Sequence, residues 1–280
     1  MMINKDSLKA KANNLSKELN VSQNVIYNRF FYDAFLSRLA VSVYRERFIL
    51  KGGLYLSSIF GIDSRSTMDI DFCLRKVSME KDKIVKMIKE IASIDIGDGV
   101  SFEVIGASDI RGDDLYGGFQ IVLLAKLDNV RYQFGIDIAT GDPIVPMERT
   151  YDYKCLVSGV TLPIKAYSLE SIVAEKLETV LSRGIANSRS KDYYDLYILN
   201  KTQSNNIDIE VLKDAYHQTC NYRNFSISKT AARNLTSAIS DNQQINKRWI
   251  AFGKKIKYAD EIAFKDVISS VNEWIDICYK

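Results

Sequence analysis

Residues 51–71 read KGGLYLSSIFGIDSRSTMDID, a double-glycine turn followed by two carboxylates two residues apart. If the last part of this stretch is a β-strand, its pleat places Asp69 and Asp71 on one face and turns Ile70 and Phe72 towards a core. Carboxylates held this close repel each other unless a cation lies between them, and Mg²⁺ is the usual cation. The pair therefore predicts a metal site.

The double glycine supplies a second element of such a site. A helix that begins at Gly52-Gly53 offers backbone N–H groups to a phosphate. Gly53 and Asp69 are 16 positions apart, which leaves room for a short helix from Leu54 to Gly61 and a return loop. Each motif alone is common by chance, but their order and spacing favour a nucleoside triphosphate site.

This segment, with Arg65-Ser66-Thr67 ahead of the carboxylates, resembles the signature of the AbiEii/AbiGii toxin family of nucleotidyltransferases, which belongs to the DNA polymerase β-like superfamily. The resemblance extends over residues 48–199. A second block resembles the C-terminal motifs of that family: Glu175-Lys176-Leu177, Ser182-Arg183-Gly184, Asn187-Ser188-Arg189, Lys191-Asp192 and Asp195-Leu196.

The resemblance implies an Mg²⁺-dependent enzyme that transfers a nucleotide from an NTP to a hydroxyl group. Asp69 and Asp71 would hold Mg²⁺ against the phosphates. The superfamily requires a third carboxylate, and Asp137 is the candidate because it points away from Ile136 and Ile138 on a predicted strand. Asp137 would act as a base or as a ligand of a second metal, which in two-metal sites lies ~3.5–4 Å from the first.

The family motifs also suggest which residues contact the nucleotide. Lys176 would neutralise charge that develops on the triphosphate, as a catalytic residue. The other nucleotide-binding candidates are Gly52, Gly53, Ser57, Arg65, Thr67, Arg183 and Asp192.

Lys176 is unusual even without the family. It falls within an apolar helical stripe, where a cation is costly unless it finds an anion or reaches a cleft. Glu175 and Glu178 are predicted to face solvent. Snorkelling of the Lys176 side chain to the helix edge is the structural alternative, and Lys176→Met is expected to keep or improve stability. The stripe consists of Leu169, Ile172, Val173, Leu177, Val180 and Leu181.

The next helix presents an acidic pair, Asp192 and Asp195, on one face. These residues either hold a cation such as Lys176, or simply complement the helix dipole. Tyrosines 193, 194 and 197 either form a base-stacking wall or pack in a core, which is the commoner role.

The chain of 280 residues is 46% hydrophobic and 26% charged, an ordinary globular composition. The pattern predicts an α/β (α+β) fold followed by a helical half, and the resemblance implies that the first part is a polymerase β-like nucleotidyltransferase core with a mixed sheet. We expect an α/β domain with N-terminal helices at 1–165 and a helical domain at 166–280 that completes the active-site cleft.

Periodicity gives individual elements of this fold. A helical region over 6–46 has an apolar stripe that includes Phe30, Phe31, Phe35, Leu39 and Val43. A helix is predicted from Glu80 to Ala92, and Asp128 and Asp142 are expected in turns. The predicted strands are Thr67–Leu74, Ser101–Ala107, Phe119–Leu127 and Val130–Ala139.

Other classes of site are poorly supported. The four cysteines lack C-x-x-C spacing, and the single histidine, His217, lies in a polar helical stretch and is expected to be solvated. No apolar run reaches the ~18 residues of a membrane span, so we expect a cytoplasmic protein without membrane contact. The net charge of +3 does not by itself indicate nucleic-acid binding.

The resemblance further implies a toxin of a toxin–antitoxin or phage-defence (abortive infection) system. It implies a tRNA acceptor and a separately encoded antitoxin with a DNA-binding domain. Arg65, Arg183, Arg189 and Lys191 are expected to contact RNA. A kinase-like phosphotransferase, an antibiotic nucleotidyltransferase and a non-enzymatic scaffold remain as alternatives, and the scaffold is disfavoured by the three carboxylates.

Overall fold

A computed structural model describes residues 3–110, 117–139 and 143–279; the predicted turn at Asp142 lies outside these ranges. The described residues contain a seven-stranded mixed sheet with the strand order β3-β4-β5-β2-β1-β7-β6. The pairs β2–β5 and β1–β7 are parallel, and the other neighbouring pairs are antiparallel. The strands are β1 (Phe48–Lys51), β2 (Asp69–Leu74), β3 (Val100–Ile110), β4 (Gly118–Leu127), β5 (Val130–Ala139), β6 (Arg149–Lys154) and β7 (Thr161–Ala166).

In the described part of the chain, every regular element after β7 is helical, and the combination of a mixed sheet with these helices confirms the predicted α+β class. Side-chain oxygens of Asn4, Ser168, Asp208, Ser228 and Asn242 cap the helices that follow them. The α-helices are α1 (Lys5–Glu18), α2 (Gln23–Val41), α3 (Gly52–Phe60), α4 (Lys81–Ala92), α5 (Leu169–Arg183), α6 (Ser190–Gln203), α7 (Ile209–Tyr222), α8 (Lys229–Asp241), α9 (Gln243–Lys255) and α10 (Phe264–Cys278).

The four predicted strands and the helix at 80–92 are confirmed to within a few residues. The strands β1, β6 and β7 were not predicted. β1 has only four residues and runs directly into α3. β7 contains Pro163, which pairs with Asp152 of β6 but lies beyond the single β1–β7 register pair, Leu50 and Ala166. Because a proline within a segment argues against a strand, the sequence pattern did not predict β7.

Helix α2 packs its aromatic side chains on one face of the sheet. Tyr32 makes an edge-to-face contact with Phe134, and Phe35 makes one with Phe102. The predicted stripe is confirmed apart from its last member. α2 ends at Val41, and Val43 is 86% exposed, because the chain has left the helix there.

The chain divides into two compact units, one of Met1–Gly141 and Arg149–Ala166, the other of Asp142–Glu148 and Tyr167–Lys280. The first contains the sheet and α1–α4, and the second contains α5–α10. Within the described ranges, every helix is too short or too polar to span a lipid bilayer.

Candidate active site

The three predicted carboxylates lie on two adjacent parallel strands of the first unit. Asp71 of β2 is in register with Asp137 of β5, and Asp69 is in register with Gly135. Side chains of residues paired in this way share a face. Ile70 and Phe72 are fully buried on the opposite face, as the spacing predicted. The sheet therefore brings Asp69, Asp71 and Asp137 to one partly exposed surface.

The double-glycine turn contacts this surface. β1 ends at Lys51 and α3 begins at Gly52, and the N–H of Gly53 donates to Oδ2 of Asp71 over 3.0 Å. Gly52 has a φ of +61°, and a Cβ there would lie 2.2 Å from Asp71 Oδ2. A Cβ on Gly53 would lie 2.5 Å from Oγ1 of Thr67. The backbone can approach Asp71 this closely only because residue 52 is glycine, and it can approach Thr67 this closely only because residue 53 is glycine.

Arg65 and Thr67 support the turn from the return loop. Thr67 Oγ1 donates to the carbonyl of Asp69 over 3.3 Å. The Arg65 guanidinium is buried, donates to the carbonyl of Ser66, and places Nη2 3.3 Å from the position of a Cβ on Gly53. Because only 4% of Arg65 is exposed, the expectation that it contacts RNA is wrong.

Ser57, the remaining phosphate candidate of this unit, is buried inside α3. Only 3% of the residue is exposed, and its Oγ lies 3.4 Å from Nη1 of Arg29. In this conformation, Ser57 contacts a core arginine.

The charge balance around Asp71 is unfavourable for its ionised form. Burial is the largest cause that raises the pKa of Asp71, and the neighbouring charge of Asp137 raises it further. The hydrogen bond from Gly53 and the charges of Lys51 and Arg65 lower it by less. The pKa of Asp71 is thus raised, as expected for a buried carboxylate beside a like charge.

The donor set fits Mg²⁺, which prefers carboxylate oxygens and fills its other positions with water and substrate phosphates. No three carboxylate, imidazole or thiol side chains within the described ranges are gathered closely enough to hold a metal by themselves. Mg²⁺ commonly needs only one or two protein carboxylates. A cation at this surface would offset the charge of Asp137, which raises the pKa of Asp71.

Two residues of this surface were missed by sequence reasoning. Gln120 of β4 is in register with Asp137, and its Nε2 donates to Oδ1 of Asp137 over 2.8 Å. Gly135 leaves the space beside Asp69 open, since a Cβ there would lie 3.0 Å from Asp69 Oδ1. The two-residue turn at Asp128-Asn129 could have given the pairing of Gln120, because it fixes the register of the hairpin.

In the second unit, Lys176 is paired with both carboxylates of the acidic pair. Its Nζ lies 3.0 Å from Asp192 Oδ1 and 2.7 Å from Asp195 Oδ2. Asp195 is fully buried, and the Lys176 side chain is 15% exposed. Arg189 lies 3.6 Å from the other oxygen of Asp192. The cation on the apolar stripe is therefore paired with anions of α6. The alternative, in which the Lys176 side chain snorkels to the helix edge, does not describe its conformation.

The structure also corrects the surroundings of Lys176. Glu178 does not face solvent: it is buried and forms a salt bridge of 2.6 Å with Arg223. Tyr193 and Tyr194 are buried, and Tyr193 packs edge-to-face against Phe264, which favours the core role over a base-stacking wall. Arg183, at the end of α5, is half-buried, and His217 is exposed as expected.

Two solved structures share the fold of this chain. The crystal structure of JHP933 from Helicobacter pylori matches with a TM-score of 0.52 and 14% identity, over 92% of this chain and 93% of that one. A second Helicobacter pylori protein, provisionally described as a nucleotidyltransferase, matches with a TM-score of 0.52 and 12% identity, over 92% and 96%. At these identities, the matches show a shared fold.

The family follows from the sequence. Residues 34–270 match the model of the AbiEii nucleotidyl transferase toxins of type IV toxin–antitoxin systems, and the chain belongs to this family. Membership makes it a toxin-type nucleotidyltransferase and implies a separate antitoxin. None of the curated proteins compared with it is significantly similar.

Proposed function

We propose that this toxin transfers a nucleotide from an NTP to a hydroxyl group of RNA, with tRNA as the acceptor. The observation that carries the proposal is the register of Asp69, Asp71 and Asp137 on one sheet face, with the Gly53 N–H directed at Asp71. Paired carboxylates beside a helix N-terminus combine the ligands of Mg²⁺ with a phosphate-binding backbone.

In this proposal each part of the surface has a separate role. Asp69 and Asp71 hold Mg²⁺, which when bound neutralises phosphate charge and stabilises the leaving oxygen. Asp137 accepts the proton of the attacking hydroxyl or binds a second metal. The N–H groups at the start of α3 orient the phosphates. Lys176 as a triphosphate ligand stays a prediction, because its visible partners are Asp192 and Asp195.

The second unit offers a surface for the RNA backbone on α9. This helix buries Ile245, Trp249 and Gly253 and has no acidic residue. Four basic residues form two pairs with a spacing of seven residues, Lys247 with Lys254 and Arg248 with Lys255. The two members of each pair therefore lie on nearly the same side of the helix, about 10 Å apart along its axis. The four side chains are exposed and suit a partner that carries phosphates.

The biological setting follows the family. We infer a role in phage defence by abortive infection, in the cytoplasm, with an antitoxin that carries a DNA-binding domain. The support for this role is family membership.

One labelling experiment tests the chemistry. The protein is incubated with Mg²⁺, total RNA and each NTP labelled at the α-phosphate or, in a parallel reaction, at the γ-phosphate, and the RNA is then separated by size. We expect label in the tRNA fraction, loss of label with EDTA, and loss in Asp69→Asn. Label transferred only from the γ-phosphate would make the protein a phosphotransferase, and transfer without RNA would indicate a small-molecule acceptor; either result refutes the proposal.

A further inference from the structure

Gln120 lies beside the third carboxylate without belonging to any motif of the family resemblance. It occupies β4, the neighbour of β5, and faces Asp137 across an antiparallel pair. Its amide Nε2 donates to Asp137 Oδ1 over 2.8 Å, which is a normal length for a hydrogen bond to a carboxylate. Gln120 is partly exposed on the same surface as the carboxylates.

Gly135 makes room for this amide. A Cβ at position 135 would lie 3.3 Å from Gln120 Nε2 and 3.0 Å from Asp69 Oδ1. The amide and the Asp69 carboxylate therefore both border the same small gap on β5. A side chain at position 135 would displace the Gln120 amide or the Asp69 carboxylate, because its Cβ would already be in tight contact with both groups.

The chemistry of an amide suits this position. Asp71 and Asp137 are neighbours in register, so the rotamer of each is influenced by repulsion from the other. A neutral donor on Oδ1 restrains the rotamer of Asp137 without adding a fixed positive charge that would compete with a metal ion. Partners of this kind commonly orient the ligands of metal sites.

We propose that Gln120 is a positioning residue, which fixes the Asp137 carboxylate for its part in nucleotidyl transfer. This inference rests on the proposed function. Gln120 would act on the reaction indirectly, by orienting Asp137. Residue 135 must be glycine because a side chain there would displace the Gln120 amide.

The test compares Gln120→Met, which keeps the length of the side chain and removes the donor, with Gln120→Glu, which places a carboxylate opposite Asp137. Gln133→Met is the matched control, because Gln133 is an exposed glutamine on β5 paired with Leu124. We expect kcat to fall about 10–100-fold in Gln120→Met, as for other residues that orient metal-site ligands, with KM for the NTP within a factor of about three of wild type. Gln120→Glu should lose more, and Gln133→Met should resemble wild type.

Two readouts separate this inference from the proposed function. Mn²⁺ affinity, followed by electron paramagnetic resonance, should fall in Gln120→Met by about 10-fold or more even in the absence of NTP. A crystal structure of Gln120→Met should show the Asp137 carboxylate rotated.

Unchanged kcat, Mn²⁺ affinity and Asp137 rotamer in Gln120→Met would overturn the inference while leaving the proposed function intact. Equal losses in Gln133→Met would also overturn it. If the wild type transfers no nucleotide, the proposed function fails, and the Asp137 rotamer and Mn²⁺ affinity still decide whether Gln120 orients the carboxylate.

Discussion

Replacement of Gly52 by alanine tests the close approach of the turn to the carboxylate of Asp71, the proposed metal ligand. Gly52 and Gly97 both have a positive φ, +61° and +71°, which a residue with a Cβ adopts only at a cost. A Cβ on Gly97 meets nothing within 4 Å, whereas a Cβ on Gly52 would lie 2.2 Å from Oδ2 and 2.5 Å from Cγ of Asp71. The pair therefore separates backbone strain from collision with Asp71.

The expected losses in the free energy of unfolding differ accordingly. Gly97→Ala should cost about 1–2 kcal/mol, the penalty for a left-handed conformation. Gly52→Ala has the same penalty and must also move Asp71. An off-rotamer side chain costs about 0.5–1.5 kcal/mol, and loss of the charge-assisted bond from Gly53 N–H costs about 1.5–3 kcal/mol. Gly52→Ala should therefore lose about 3–6 kcal/mol.

The assay combines urea denaturation with nucleotide transfer at a temperature where each variant is folded. We expect Gly52→Ala to lose transfer because Asp71 is displaced, and Gly97→Ala to retain it. Equal destabilisation by the two substitutions, or normal transfer by Gly52→Ala, would refute the contact between the turn and Asp71. A crystal structure of Gly52→Ala would then show where the methyl group fits.

Three further expectations concern charge. Because burial and Asp137 raise the pKa of Asp71 above its unfolded value of about 3.9, ionisation costs stability as the pH rises through the folded pKa. Asp71→Asn should therefore abolish transfer, raise Tm at pH 7–8 and match wild type near pH 3; a Tm gain that is the same at every pH would contradict this. Lys176→Met should cost about 3–5 kcal/mol in a urea titration, because it removes the cation that lies 2.7 Å from the buried carboxylate of Asp195, whereas Lys201→Met, at an exposed lysine, should have little effect. Lys247→Glu with Lys254→Glu should weaken RNA labelling and make the salt slope of RNA binding shallower by about 1.4, at about 0.7 for each lost phosphate contact. Lys86→Glu with Lys89→Glu on α4 is the control, and equal effects of the two pairs would argue against the α9 surface.

Much of the sheet could be predicted because its decisive signals are local. The spacing of Asp69 and Asp71 fixed which side chains share a face, and the burial of Ile70 and Phe72 agrees with it. The two-residue turn at Asp128-Asn129 fixed the hairpin. Three strands, β1, β6 and β7, depend instead on pairing with segments that are distant in sequence. Their own segments are short or contain proline, so no local pattern identifies them as strands.

The same distinction applies to individual site residues. The close packing of Gly52 against Asp71 was not visible in the sequence, since it depends on the pairing of Lys51 with Asp71 across β1 and β2. Burial of Arg65 was missed for a similar reason. A loop arginine beside carboxylates suggests a surface ligand, but its guanidinium folds under the turn and interacts with the loop that carries it.

For Lys176, helical periodicity predicted the position of the side chain but not its ion-pair partners. The helical spacing correctly placed a cation on the apolar side of α5, and the cost of burial correctly required an anion. The stripe alone predicted that methionine would be tolerated, because only the neighbours on the same helix were considered. The anions come from α6, where Asp195 has no exposed surface. A charge that cannot reach water raises the cost of removing its partner, so Lys176 stabilises the second unit whatever its part in triphosphate binding. Loss of transfer in Lys176→Met is therefore evidence for catalysis only at temperatures where that variant remains folded.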